Sequence, residues 1–189
     1  MAVLEVAKLG NPVLREIAEP LDLEALTASG ENELQIFIDD LIDTMRAEDG
    51  VGIAAPQVSR SIQLLAVECI DNDRYPNQEN IPITVFVNPV ITRFSEETVS
   101  FWEGCLSLPD LRGLVSRSRE VTVEAWSRDG NRMVVEAQGF FAVVLQHEID
   151  HLQGKVFLDR MTDLTQLAYN EEFATYWVEQ ETTGSPERL

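Results

Sequence analysis

Apolar residues recur at helical spacing through "SGENELQIFIDDLIDTMRAEDG" (29–50), at Leu34, Phe37, Ile38, Leu41, Ile42 and Met45. This stripe predicts an amphipathic helix, with Ser29 able to cap its start and Gly50 marking its end. Upstream, "NPVLREIAEPL" predicts a short helical turn bounded by Pro12 and Pro20. Downstream the period shortens. "IQLLAVECI" (62–70) predicts a buried strand, and "ITVFVNPVI" (83–91) a second one stopped by Pro89, with the polar loop "DNDRYPNQENIP" between them. "ETVSFWEGCLSLP" (97–109) mixes strand residues with a Gly-Cys break, which predicts a strand ending in a functional loop. "REVTVEAW" and "NRMVVEAQ" alternate apolar and polar around Asp129 and Gly130, a hairpin signal. A helix is predicted over about 140–153, stopped by Gly154. "DLTQLAYNEEFATYWVEQE" (163–181) predicts a last amphipathic helix with Leu164, Leu167, Ala168, Phe173, Tyr176 and Trp177 on its apolar side. The tail after Glu181 is expected to fray. Strands followed by helices, without a βαβ rhythm, predict an α+β fold.

The chain has 189 residues, enough for one domain with its own core, and is taken as a single domain over 1–189. Composition changes the picture mainly through charge. With 33 acidic against 14 basic residues the net charge is −19, which argues against direct nucleic-acid binding and against anionic membrane surfaces. Only Lys8 and Lys155 are lysines. No apolar run approaches the roughly 20 residues needed to span a bilayer. The start "MAVLEVAKLG" lacks a basic segment followed by a long apolar core, so no secretory signal is expected. Cys69 and Cys105 are accordingly expected as free thiols in a reducing compartment. Those readings place the protein in the cytoplasm, or in an organelle stroma if a transit peptide has been removed.

The chemistry concentrates in "FFAVVLQHEIDHLQG" (140–154), where an apolar run passes straight into two histidines and two carboxylates. His147 and His151 are four apart and share one face of a helix, so both imidazoles can hold one metal ion. Glu148 projects about 100° away. From there it can reach a metal-activated water without ligating the metal. The alternative is a polar face with solvated histidines, but the preceding "FFAVVL" should bury this helix. A catalytic site usually has three protein ligands and an open position. A third His in H-x-x-G-x-x-H register is excluded, because Phe157 stands there. Glu171, about twenty residues downstream, would make a metallopeptidase. Cys105, between Gly104 and Leu106 and near polar Glu103 and Ser107, is the other choice, against a reading as a small buried thiol. On the residues alone, both remain open. A closed structural zinc site would need a fourth ligand, and Cys69 is the only other thiol.

"GVGIAAPQV" (50–58) is by itself only a helix stop and a tight loop, with Gln57 offering an amide donor. In order, however, "GVGIAAPQ", "EGCLSLP" and "QHEIDH" resemble the three signature motifs of peptide deformylases, and the resemblance covers essentially the whole chain. It implies small, mostly antiparallel sheets around a central histidine helix, with a terminal helix outside. It implies Cys105, His147 and His151 as ligands of one divalent metal, typically Fe²⁺, with Zn²⁺ or Ni²⁺ also accommodated. The implied reaction is removal of the N-formyl group from nascent polypeptides that begin with formyl-methionine. Glu148 would then move the proton, and the Gln57 side chain with the Leu106 backbone N–H would donate to the oxyanion. Gly52 would hydrogen-bond the substrate chain as an added strand. Val51, Phe101, Glu103, Phe140, Val143 and Val144 would form the methionine pocket, and Arg112 would lie near the backbone beyond it. Some bacterial members are thought to dock on the ribosome through a basic terminal helix. Here 163–181 carries no Lys or Arg. Contact with nascent chains is therefore expected, and a stable ribosome complex is not.

Overall fold

A computed structural model of the protein describes residues 2–27, 32–72 and 78–178. The first long helix, α1, spans Glu33–Ala47. Asn32 caps it, its side chain accepting from the N–H groups of Leu34 and Gln35 at 3.0 and 3.3 Å. Ser29, the cap expected from the sequence, lies outside the described residues. At the other end Asp49 takes the left-handed conformation and Gly50 N–H returns to the Met45 carbonyl at 2.9 Å.

Two antiparallel sheets follow. The larger has the order β1-β2-β3-β6-β7, built from Gly52–Ala54, Leu64–Cys69, Ile81–Phe94, Glu120–Trp126 and Arg132–Gln138. The smaller has the order β4-β5-β8, from Thr98–Cys105, Leu108–Ser118 and Leu167–Tyr169. The second long helix, α2, spans Gly139–Leu152, and α3 spans Asn170–Tyr176. The α+β class read from the sequence holds.

The unbroken apolar run of β2 has a simple cause: this strand is covered on both faces. Leu65, Val67 and Cys69 join Val144, Leu145, Ile149 and Leu152 of α2 in one core. Leu64 and Ala66 join Ile38, Leu41, Ile42 and Met45 of α1 in another. Alternation in a strand sends successive side chains to opposite faces, so both sets must be apolar. A third, smaller core places Leu108 and Val115 of β5 against Val156 and Phe157.

Two expectations need correction, and one strand was not foreseen. β3 does not stop at Pro89. The proline, which has no N–H to give, sits at a bulge where the register with β6 shifts between Val87 and Val90. Asn88 absorbs the irregularity with φ +49°, and its side chain bonds both the N–H and the carbonyl of Leu21 at 2.8 Å. The unforeseen strand is β5, which takes in residues 110–118 and pairs with β4 along its length. Second among the corrections, 163–181 is not one helix. A 3₁₀ turn at Leu164–Gln166 leads into β8, which pairs with the edge of β5 from Leu111 to Gly113. Hydrogen bonding to an open sheet edge outweighs local helical periodicity here, and α3 keeps only seven residues. Its Phe173 packs on Trp102, ring centroids 5.0 Å apart. The expected frayed tail lies outside the described residues.

Candidate functional site

β1 is an edge strand of the large sheet and β4 an edge strand of the small one, and α2 passes between the sheets. The three elements enclose a cleft of about 590 Å³, part of it open to solvent. Val51, Gly52 and Gln57 line it from the β1 side, Phe101 to Leu106 from β4, and Phe140, Val143, Val144, His147 and Glu148 from α2. α2 is buried nearly all round, which explains its apolar first half: twelve of its residues are buried, His147, Glu148, Asp150 and His151 included.

Cys105, His147 and His151 offer ligand atoms that all lie within 4.8 Å of one another. Cys105 Sγ is 3.3 Å from His151 Nε2. His147 Nδ1 is 2.7 Å from Glu103 Oε2, which commits that nitrogen to the carboxylate and leaves Nε2 as the ligand atom. Phe157 stacks on the His147 ring with centroids 6.4 Å apart. One half-buried cysteine sulfur and two buried imidazoles, brought together in this way, fit a divalent transition ion with an open position. Two buried polar atoms, Glu148 Oε2 and His151 Nδ1, have no hydrogen-bond partner among the described residues. Glu171 lies exposed on α3, and Cys69 is buried in the main core; neither belongs to this group.

The electrostatics separate the four titratable residues of α2. Burial lowers His151 well below its ordinary value, and the neighbouring His147 adds to the shift. Burial acts on His147 in the same direction, but bonds to Cys105 and Glu103 outweigh it and raise it. Glu148 has no such partner, and burial pushes its carboxyl up to about 7. Glu103 and Asp150 go the other way. Burial would raise both, but His147 and Arg117 hold Glu103 below the usual carboxylate range, and Arg160 and Arg117 do the same for Asp150.

Gly52 is a matter of space. A Cβ built there would lie 2.8 Å from both Cγ and Cδ of Glu148, so the Glu148 side chain occupies the volume that any other residue would need. Gln57 sits on a 3₁₀ turn, Ala55–Val58. Its Oε1 accepts from Ala54 N–H at 2.8 Å, which turns Nε2 toward Ser107 Oγ at 3.3 Å and Cys105 Sγ at 3.6 Å. Leu106 lies in the tight turn between β4 and β5.

Thirteen of the residues singled out in the sequence therefore converge, and Arg112 does not. It is on β5 opposite Gly104 and is not among the residues that line the cleft, donating to Asn170 Oδ1 at 3.2 Å and lying over the Phe173 ring at 5.1 Å. Glu103 lines the cleft, but both of its carboxylate oxygens are engaged by Arg117 and His147. Sequence reasoning missed Arg117, which sits on the unforeseen strand β5, and gave Asp150 no role. Arg117 donates to Glu103 Oε2 at 3.0 Å and to Asp150 Oδ2 at 2.8 Å from one buried guanidinium. No spacing in the sequence signals this pairing, since its members are 14 and 33 residues apart.

Two buried imidazoles of an H-E-x-x-H helix joined by a half-buried cysteine sulfur from β4, with a glutamate oxygen beside them that has no partner among the described residues, define the class: a metal-dependent hydrolase. Residues 3–167 match the family model of polypeptide deformylase. The chain is 42% identical over 166 residues to peptide deformylase 1 of Bordetella pertussis, covering 88% of this chain and 92% of that protein. It is 41% identical over 169 residues to peptide deformylase 2 of Pseudomonas putida, covering 89% and 93%. Among solved structures, the Met-Ala-Ser-bound class I type b peptide deformylase of Acinetobacter baumannii superposes with a TM-score of 0.81 at 41% identity, over 85% of this chain and 99% of that one. The actinonin-bound enzyme of Synechococcus elongatus gives 0.76 at 31% identity, over 93% and 86%. The chain belongs to the polypeptide deformylase family.

Proposed function

We propose that this chain, acting as one catalytic unit over 1–189, removes the formyl group from the N-terminal formyl-methionine of newly made polypeptides and releases formate. The observation that carries the reading is the trio of half-buried Cys105 with buried His147 and His151, beside Glu148, in a chain of this family. These three residues would hold the ion, Fe²⁺ in the cell, with Zn²⁺ or Ni²⁺ suited to the same donors. When bound, such an ion acidifies water and polarises a carbonyl.

The chain's own residues do the rest. Glu148, with its carboxyl raised to about 7, takes a proton from the attacking water near neutrality and passes it to the departing amine. The Gln57 amide, fixed by its bond to Ala54, and the Leu106 backbone N–H donate to the negative charge that develops on the formyl oxygen. Gly52 takes the substrate backbone along the edge of β1, where no other strand pairs among the described residues. Val51, Phe101, Phe140, Val143 and Val144 receive the methionine side chain. Glu103 is better placed to orient His147 than to touch substrate. Arg112, outside the cleft lining, would act only on the chain beyond methionine.

Newly made formylated chains exist where translation occurs, which supports action in the cytoplasm, or in an organelle stroma if a transit peptide has been removed. No described helix is long and apolar enough to cross a membrane. Ribosome contact is through the emerging chain, since 163–181 has no basic residue. The test is a pair of peptides, formyl-Met-Ala-Ser and acetyl-Met-Ala-Ser, followed by mass spectrometry with metal content measured. Rapid loss of formyl alone supports the reading. Comparable loss of acetyl, or internal cleavage, removes it.

A further inference from the structure

Behind the histidine helix, two buried carboxylates converge on one buried guanidinium. The side chains of Glu103, Arg117 and Asp150 retain only 4%, 4% and 5% of their exposure. These three alone carry one uncompensated negative charge, which a poorly solvated setting penalises. The balancing charge comes from the rim. Arg160, with a side chain 41% exposed, ends the 3₁₀ turn Phe157–Arg160 and forks onto Asp150, Nε to Oδ2 at 2.9 Å and Nη2 to Oδ1 at 2.5 Å.

We propose that Arg160 is a positioning residue for His147, acting through Asp150, Arg117 and Glu103 to keep the metal ion in place. The inference rests on the ligand set proposed above. Asp150 shares Oδ2 between Arg160 and Arg117, so Arg160 sets how strongly Asp150 pulls on Arg117. With Asp150 balanced from the rim, Arg117 keeps its Nε and Nη2 on Glu103, and Glu103 Oε2 stays 2.7 Å from His147 Nδ1. Without Arg160, Arg117 is the one cationic partner left to Asp150 among the described residues. Its guanidinium is drawn toward Asp150, its grip on Glu103 slackens, and the His147 ring loses its fixed orientation. An imidazole that wanders releases its ion sooner. The geometry requires a fork, which lysine lacks.

The test measures metal release and needs no activity. Zinc-loaded wild type and variants are challenged with excess chelator, and the release of zinc is timed. Arg160→Met should release zinc about 10-fold faster, the low end of the usual effect of outer-shell partners, and Arg160→Lys roughly threefold faster. Arg15→Met is the control for simple loosening of the turn. Arg15 pairs with Asp159 on the same 3₁₀ turn but makes no bond to Asp150. It should release zinc at the wild-type rate. The proposal is overturned by Arg160→Met at the wild-type rate, by Arg15→Met matching Arg160→Met, or by Arg160→Lys releasing faster than Arg160→Met. Should Arg160→Met fold poorly, Arg160→Lys against Arg15→Met decides, and equal rates overturn it. Wild-type protein that takes up no zinc, or Cys105→Ser that keeps it as well as wild type, overturns the ligand set instead.

Discussion

α1 and α2 are nearly equal in length, 15 and 14 residues, and they pack on opposite faces of the same sheet. α1 buries one stripe and turns Glu33, Asp39 and Arg46 outward. α2 is buried nearly all round and carries two histidines and two carboxylates inside. Burying an ionisable group costs stability unless a partner compensates it. Asp150 has such partners, and His147 has Glu103. Glu148 Oε2 and His151 Nδ1 have none among the described residues. A stability-driven helix has no reason to keep such atoms, and α1, which shows what stability alone asks for, has no counterpart. The excess on α2 is chemistry.

The contrast breaks hardest at the trio. Cys105→Ala should abolish tight metal binding and turnover together, whereas Glu171→Ala should leave both nearly intact. Metal content after desalting, measured beside the rate, checks this, and the reverse pattern would restore a peptidase-type site.

Glu148→Gln comes next. It should fold and keep its metal but lose at least roughly 100-fold in kcat, the scale of a lost general base. Gly52→Ala should lose about as much by a different route, since its methyl claims the space of the Glu148 side chain. Retained turnover in either variant would contradict the role of Glu148.

The same carboxyl gives the metal-free protein a pH dependence. Its folded value of about 7 lies above its unfolded value of 4.5. Folding therefore favours the protonated form. That contribution is whole below pH 4.5 and is lost as pH rises to about 7. The loss amounts to roughly 3 kcal/mol from this group at neutral pH and above. Metal-free Glu148→Gln should lack this decline, so denaturant melts of the two proteins should diverge between pH 4.5 and 7. Parallel curves would refute the shift.

On α1 the effects should be on stability alone. Leu41→Ala, at a fully buried position, should cost about 2–5 kcal/mol and leave kcat per folded molecule unchanged. Asp39→Asn removes only an exposed pair with Arg128, at 2.9 Å, and should cost less than about 1 kcal/mol in the same melts. A kcat that follows Leu41→Ala would mean that α1 also supports the site.

What the sequence determined by itself is local. A period of 3.6 residues placed α1 and a period of 2 the β6–β7 hairpin, because side chains on one face of one element must be alike to be buried together; β2 and α2 were legible as apolar runs, α2 with Gly154 as its stop. The metal pair was equally legible, since His147 and His151 are brought together by a single helical turn. Cys105, Gln57 and Gly52 were reached only through the resemblance of whole motifs, for no periodicity links residues 42 to 99 positions from that helix turn. The tertiary structure alone decided the rest. It carried β3 through Pro89 by giving Asn88 a partner in Leu21, and it turned Leu167–Tyr169 from helix into strand by offering the edge of β5. It also assembled Glu103, Arg117, Asp150 and Arg160 into one charge-balanced chain. Coulomb and hydrogen-bond energies depend on distance in space, and only packing of the two sheets around α2 brings those four side chains within reach of one another.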